Sequence, residues 1–79
     1  MATVRYFAAA AEAAGTEQEQ VSAGDIEELV NQLAAQHGTM LAEVLRRSSL
    51  LHQGRHVSDP STRLTAESVV DVLPPFAGG

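Results

Sequence analysis

The stretch DIEELVNQLAAQHG, Asp25 to Gly38, decides how this chain must fold. Ile26, Leu29, Val30, Leu33 and His37 recur at i, i+3, i+4, i+7 and i+11, which lays one apolar stripe along a helix. Asp25 can accept from the orphan N–H groups at the helix start, and Glu28 stands three residues on, the spacing of a capping box. Gly38 stops the helix. A single apolar stripe has to be buried against another layer, and the segments around it read as short strands.

Upstream, Thr3 to Phe7 alternates as a strand, with Val4 and Tyr6 on one face and Thr3, Arg5 and Phe7 on a wet one. Ala8 to Ala14 favours a helix that Gly15 ends, and Glu17 to Val21 reads as a weaker, polar edge strand. Downstream, Thr39 is read as the cap of a shorter helix with Met40, Leu41, Val44 and Leu45 facing inward and Arg46-Arg47 at its C-terminal end. Ser49–His52 and His56–Ser58 then flank Gln53-Gly54-Arg55 as a hairpin, and Asp59-Pro60-Ser61 is a loop.

The last strand, Val69 to Leu73, places Val70 and Val72 on one face and Val69, Asp71 and Leu73 on the other. Asp71 marks that second face as solvated, so Leu73 is expected to be exposed. The reading is an α+β, β-grasp fold, a mixed sheet packed on one main helix. If the first and last strands are neighbours, Phe7 and Leu73 meet on the outer sheet face as an apolar docking patch. The alternative, a loop covering both, stays open.

Composition narrows the function classes. At 79 residues there is room for one domain, and domains of this size bury only about 60% of their unfolded surface. Without cysteine, disulfides, thiolate metal sites and cysteine nucleophiles are excluded. The net charge of −5 and five scattered arginines give no basic stripe for nucleic acid, and an acidic surface suits partners with a basic cleft. Lysine is absent, so the chain cannot become a lysine-linked polymer of itself. No apolar run approaches the roughly 20 residues that span a bilayer, and no signal-peptide pattern opens the chain. The expectation is a soluble, cytoplasmic protein with no membrane partner.

The ending, VVDVLPPFAGG, carries the functional signal. Residues 1–73 read as the folded body and 74–79 as an extended tail. Pro74 and Pro75 stiffen the exit because each fixes φ and lacks an N–H. Gly78 and Gly79 have no Cβ, so they can enter a channel too narrow for other residues and present a carboxylate there. Six residues reach roughly 20 Å when extended.

Three blocks, VRYFAAAAEAAGTEQEQV, LLHQGRHV and VVDVLPPFAGG, resemble the MoaD/ThiS family of ubiquitin-like sulfur carriers, and most of all the molybdopterin synthase small subunits. The similarity covers essentially the whole chain. It implies a β-grasp body and a reactive C-terminal carboxylate on Gly79. An E1-like, MoeB-like adenylyltransferase/sulfurtransferase would adenylate that carboxylate with its own ATP and Mg and convert it to a thiocarboxylate. Pro75, Phe76, Ala77 and Gly78 would thread the partner's active site. A MoaE-like large subunit, in a heterotetramer with this chain, would supply the catalytic residues and build the molybdopterin dithiolene. Phe7, Val57 and Leu73 would form the partner interface. The chain itself would be no enzyme and bind no cofactor.

Two turns depart from the family pattern: Ala66-Glu67-Ser68 stands where Asp-Gly-Asp is frequent, and His52-Gln53-Gly54 where Val-Asn-Gly is. Relatives with the same ending serve thiamine, cysteine or thionucleoside synthesis, and a ubiquitin-like modifier would suit the tail equally. Thiamine carriers are usually shorter and often lack the second helix, which favours the molybdopterin reading. His52 and His56 flank a turn, but two imidazoles without a third ligand make a poor zinc site, and no metal is expected. Glu27-Glu28, neighbours on a helix, point apart and belong to the first turn.

Overall fold

A computed structural model describes residues 1–75. The elements are β1 (Ala2–Tyr6), α1 (Ala9–Ala14), β2 (Gln18–Val21), α2 (Ile26–His37), α3 (Thr39–Arg47), β3 (Ser49–His52), β4 (Arg55–Val57) and β5 (Val69–Leu73). The strands form one sheet in the order β2-β1-β5-β3-β4. β1 and β5 run parallel at its centre, and the other pairs are antiparallel. This is the α+β, β-grasp arrangement expected from the sequence, with β2 at an edge.

Alternation assigns the faces. Val4 and Tyr6 of β1, Val70 and Val72 of β5, and Val21 of β2 are buried and share one core with Ile26, Leu29 and Leu33 of α2, Leu41 and Leu45 of α3 and Ala10 of α1. Leu50 and Val57 flank that core on the same inner face. Fully burying a leucine or valine contributes about 1.5–3 kcal/mol, so the α2 stripe is the main tie between helix and sheet. Asp25 Oδ1 accepts from Glu28 N at 2.8 Å, and Glu28 Oε1 accepts from Gly24 N at 2.7 Å. The reciprocal cap is therefore present, shifted by one residue on its return arm.

Four expectations are corrected. Thr39 is not a cap: Gly38 holds that position, and no side chain caps α3. Met40 does not face inward but is 73% exposed, because α3 turns Leu41 and Leu45, one turn apart, toward the core. Arg55 belongs to β4, opposite His52, and the turn is the two residues Gln53-Gly54, with φ of 54° and 81°. Positive φ at both central positions is the geometry whose twist suits a hairpin. Gln53 accepts it while tied to β5: its N donates to Val69 O at 3.0 Å, and its Oε1 accepts from Val69 N at 2.7 Å.

The fourth correction concerns the outer face. Asp71 is not solvated but 7% exposed, and Leu73 is half-buried rather than exposed. Arg5, directly beside Asp71 in the β1–β5 register, lies over the carboxylate. The parallel pairing itself supplies this partner.

Candidate functional site

Two features of the described residues bear on function: the point where the chain leaves the body, and the sheet face turned away from the helices. β5 delivers the chain to Pro74, which is buried, and Pro75, which is exposed. A shallow groove of Ala9, Val44, Arg47, Pro74 and Pro75 surrounds this exit. The proline pair is thus seated between α1 and α3 at its first member. The expectations for Phe76, Ala77, Gly78 and Gly79, including the mobility of the tail, lie outside the described residues.

On the outer face the strands align side chains in rows. One row crosses all five strands as Gln18, Arg5, Asp71, Leu51 and His56. The next row toward the exit holds Leu73 opposite Ser49, with Phe7 following β1 on the side of Leu73. Phe7 is 41% exposed, and its N donates to Val72 O at 3.2 Å, so the backbone holds it beside the end of β5. None of Phe7, Leu51, Val69 and Leu73 belongs to the core cluster. An antiparallel-rich sheet commonly packs one face and leaves the other to solvent or to a partner. Val57 is separated from this patch: it opposes Leu50 on the inner face and packs against the core. The structure therefore brings Phe7 and Leu73 together and leaves Val57 on the opposite side.

Arg5 Nε and Nη2 donate to Asp71 Oδ1 and Oδ2 at 2.6 and 2.9 Å. The hydrogen bond and charge of Asp71 hold the Arg5 guanidinium above its already high ordinary pKa. Ala8, directly after Phe7, has φ 51° and ψ −124°, a conformation that suits glycine and strains alanine. That strain fixes how the chain turns from Phe7 into α1.

A second polar cluster was not legible in the sequence. Tyr6 OH and His37 Nε2 both donate to Glu19 Oε2, at 2.6 and 2.5 Å, and Gln36 Nε2 donates to Glu19 Oε1 at 3.1 Å. The Tyr6 and His37 rings meet edge to face at 6.1 Å. Burial pushes the Glu19 carboxyl up, but the bonds from Tyr6 and His37 and the His37 charge outweigh it and hold the group below its ordinary value. Burial and Glu19 together push the Tyr6 phenol far up. The signal available was that Glu19 shares the inward face of β2 with Val21; its charge argued against that placement.

Metal and nucleophile chemistry find no support among the described residues. No group of three or more His, Cys, Asp or Glu is placed to hold a metal ion. His52 and His56 point to opposite faces, since they pair with Arg55 and Leu51 of adjacent rows. His52 Nε2 lies 2.9 Å from Ser68 Oγ, but Ser68 is 2% exposed and its oxygen accepts from Thr65 N, so this contact closes a turn. Among the described residues no helix is long and apolar enough to cross a membrane.

Comparison with known proteins bears on the family and the fold. The model of the ThiS family matches residues 4–79. Among solved structures, a chain of the complex of subunits 1 and 2 of molybdopterin-converting factor from Helicobacter pylori 26695 is similar at 26% identity and a TM-score of 0.72, over 99% of this chain and 97% of that one. Small archaeal modifier protein 1 from Methanosarcina acetivorans superposes with a TM-score of 0.85 at 20% identity, over 99% and 95%. Mycobacterium tuberculosis CysO superposes with a TM-score of 0.80 at 13% identity, over 96% and 100%. No curated protein matches by sequence.

Proposed function

The chain belongs to the ThiS family, and from that premise we propose that it is a sulfur carrier, the small subunit of a molybdopterin synthase, with Gly79 as its reactive residue. The observation that carries the reading is that the family match runs to Gly79, through the PPFAGG sequence that follows β5.

The chemistry follows from the weakness of a carboxylate as an electrophile. The Gly79 carboxylate attacks the α-phosphorus of ATP, releasing pyrophosphate and forming an acyl adenylate. Hydrosulfide, or a persulfide whose S–S bond a second thiol then cleaves as a disulfide forms, displaces AMP and leaves a thiocarboxylate. Its sulfur bonds to a side-chain carbon of the pterin precursor as that carbon's oxygen substituent leaves, and water cleaves the resulting thioester, leaving the sulfur on the pterin and restoring the carboxylate. The mixed anhydride hydrolyses readily, so its formation and its displacement by sulfur need a site closed to bulk water. A thin arm meets that need inside a partner, and ATP, Mg and the catalytic groups belong to the partners. Gly78 lets the arm thread the site, Phe76 and Ala77 line its path, and Pro75 sets its direction.

Phe7 and Leu73, together on the outer face beside the tail exit, dock the MoaE-like large subunit and the MoeB-like activating enzyme. Val57, on the inner face, is not assigned to that surface. The pathway is favoured by the 26% identity to a chain of the Helicobacter complex and by α3, the second helix. The reading places the protein in the cytoplasm, where ATP is available, in a heterotetramer with the large subunit.

The likeness to a small archaeal modifier protein supports a second reading, conjugation of Gly79 to lysines of other proteins. Reconstitution separates the two. Carrier charged by the activating enzyme, ATP and a sulfur source, then mixed with the large subunit and the cyclic precursor, yields molybdopterin under the first reading. Failure to form it, with Gly-Gly remnants on cellular lysines after digestion, favours the second.

A further inference from the structure

The row that crosses the outer face has a buried carboxylate at its centre and a half-open cation over it. Asp71 is 7% exposed, while the Arg5 side chain is 48% exposed. The fork to Asp71 uses two of the five N–H groups of a guanidinium, and the rest have no acceptor among the described residues. Phe7 and Leu73 stand on the exit side of this pair, and Leu51 lies directly across from Asp71. A planar donor group is thus held by a two-point fork and half-exposed, with Phe7 and Leu73 on its exit side and Gln18 of β2 on the side away from Asp71.

We infer that Arg5 is the polar anchor of this docking face, and that the large subunit receiving the tail places an uncharged acceptor, a main-chain carbonyl or side-chain amide oxygen, over its guanidinium. The inference rests on the reading that the outer face docks the tail's partner, and it adds the chemistry that partner must bring. A partner covering Phe7 and Leu73 also dries Arg5. Donors buried without acceptors carry their full desolvation cost, so the partner surface supplies one. Asp71 already balances the guanidinium charge; a second carboxylate would leave the dried row with a net negative charge on a chain that is already at −5. A neutral oxygen satisfies the donors without that cost. Asp71 also holds the fork in place before binding, so little side-chain freedom is lost on association.

The competing explanation is that Arg5 only covers Asp71. Replacing both by leucine, R5L/D71L, separates the two, since an apolar pair generally substitutes for a buried ion pair without loss of fold. Binding of the full-length chain to the recombinant large subunit of the host's molybdopterin synthase is measured by calorimetry at about 50 and about 500 mM salt. The expected result is a folded variant that binds at least about tenfold more weakly, with the same ratio to wild type at both salt concentrations. A Kd within about twofold of wild type overturns the inference, and a ratio that collapses at high salt overturns the uncharged acceptor. If the double variant does not fold, Arg5→Lys keeps the charge but not the planar fork; it is expected to bind at least about threefold more weakly, and an unchanged Kd overturns the inference. Phe7→Ala tests the underlying reading separately. If it weakens binding while R5L/D71L does not, the anchor alone is wrong; if neither does, the docking face is wrong and the anchor falls with it.

Discussion

Truncating Phe7 to alanine probes the docking face with a magnitude that the structure sets. A phenylalanine presents about 200 Å², and Phe7 keeps 41% of its surface exposed, which leaves roughly 80 Å² for a partner to cover. At about 25 cal/mol per Å² this contributes about 2 kcal/mol to association, so Phe7→Ala is expected to weaken binding about 30-fold. The buried remainder of the ring also supports the body, so the variant should lose some stability, at most about 3 kcal/mol. A domain of this length has about 4–12 kcal/mol in hand. Titration against the large subunit by calorimetry near 15 °C, with the folded fraction followed by circular dichroism, reads association apart from unfolding. A folded Phe7→Ala variant that binds within about twofold of wild type would refute the reasoning.

Further outcomes follow from other sites. Ala8→Gly relieves the strain at φ 51° and should stabilise the fold by about 1 kcal/mol, raising the melting temperature by about 4–8 °C; an unchanged or lower value would contradict the strain. Glu19 is held below its ordinary pKa in the folded protein, so its contribution to stability is present above the unfolded value and disappears as pH falls through the folded one. Chemical denaturation of wild type should show stability falling as pH drops below about 4.5, and Glu19→Gln should flatten that part of the profile. Leu33, fully buried between α2 and the sheet, should cost about 2–5 kcal/mol when cut to alanine, read from the denaturation midpoint.

Much of the fold could be read from patterning, because the α2 stripe and the alternation of β1 and β5 are enforced by burial on one face. Gly15 and Gly38 end their helices as read. The misreadings share a cause. Asp71 is read from its charge, which argues for solvent, whereas strand register places it against Arg5; the partners of Glu19, Tyr6 and His37, are likewise supplied by tertiary packing that no local pattern shows. Register between strands 66 residues apart is a tertiary property, so no local pattern announces it. Met40 failed differently: it lies about 100° around the helix from Leu41, at the edge of the apolar arc, and so falls outside the face that buries Leu41 and Leu45. Of the candidate site, Phe7 and Leu73 were legible as outward positions of neighbouring strands. Val57 was assigned by resemblance, and only pairing with Leu50 reveals its inner face.

The central claim is that Gly79 carries sulfur, and top-down mass spectrometry of the untagged protein from its host measures this most directly. The account predicts a population heavier by about 16 Da, the exchange of sulfur for oxygen in an acyl group, with fragmentation placing the added mass on the terminal carboxyl. Cells lacking the activating enzyme should show only the lighter form. A terminus that stays unmodified when the activating enzyme is abundant, or the extra mass on any other residue, would contradict it.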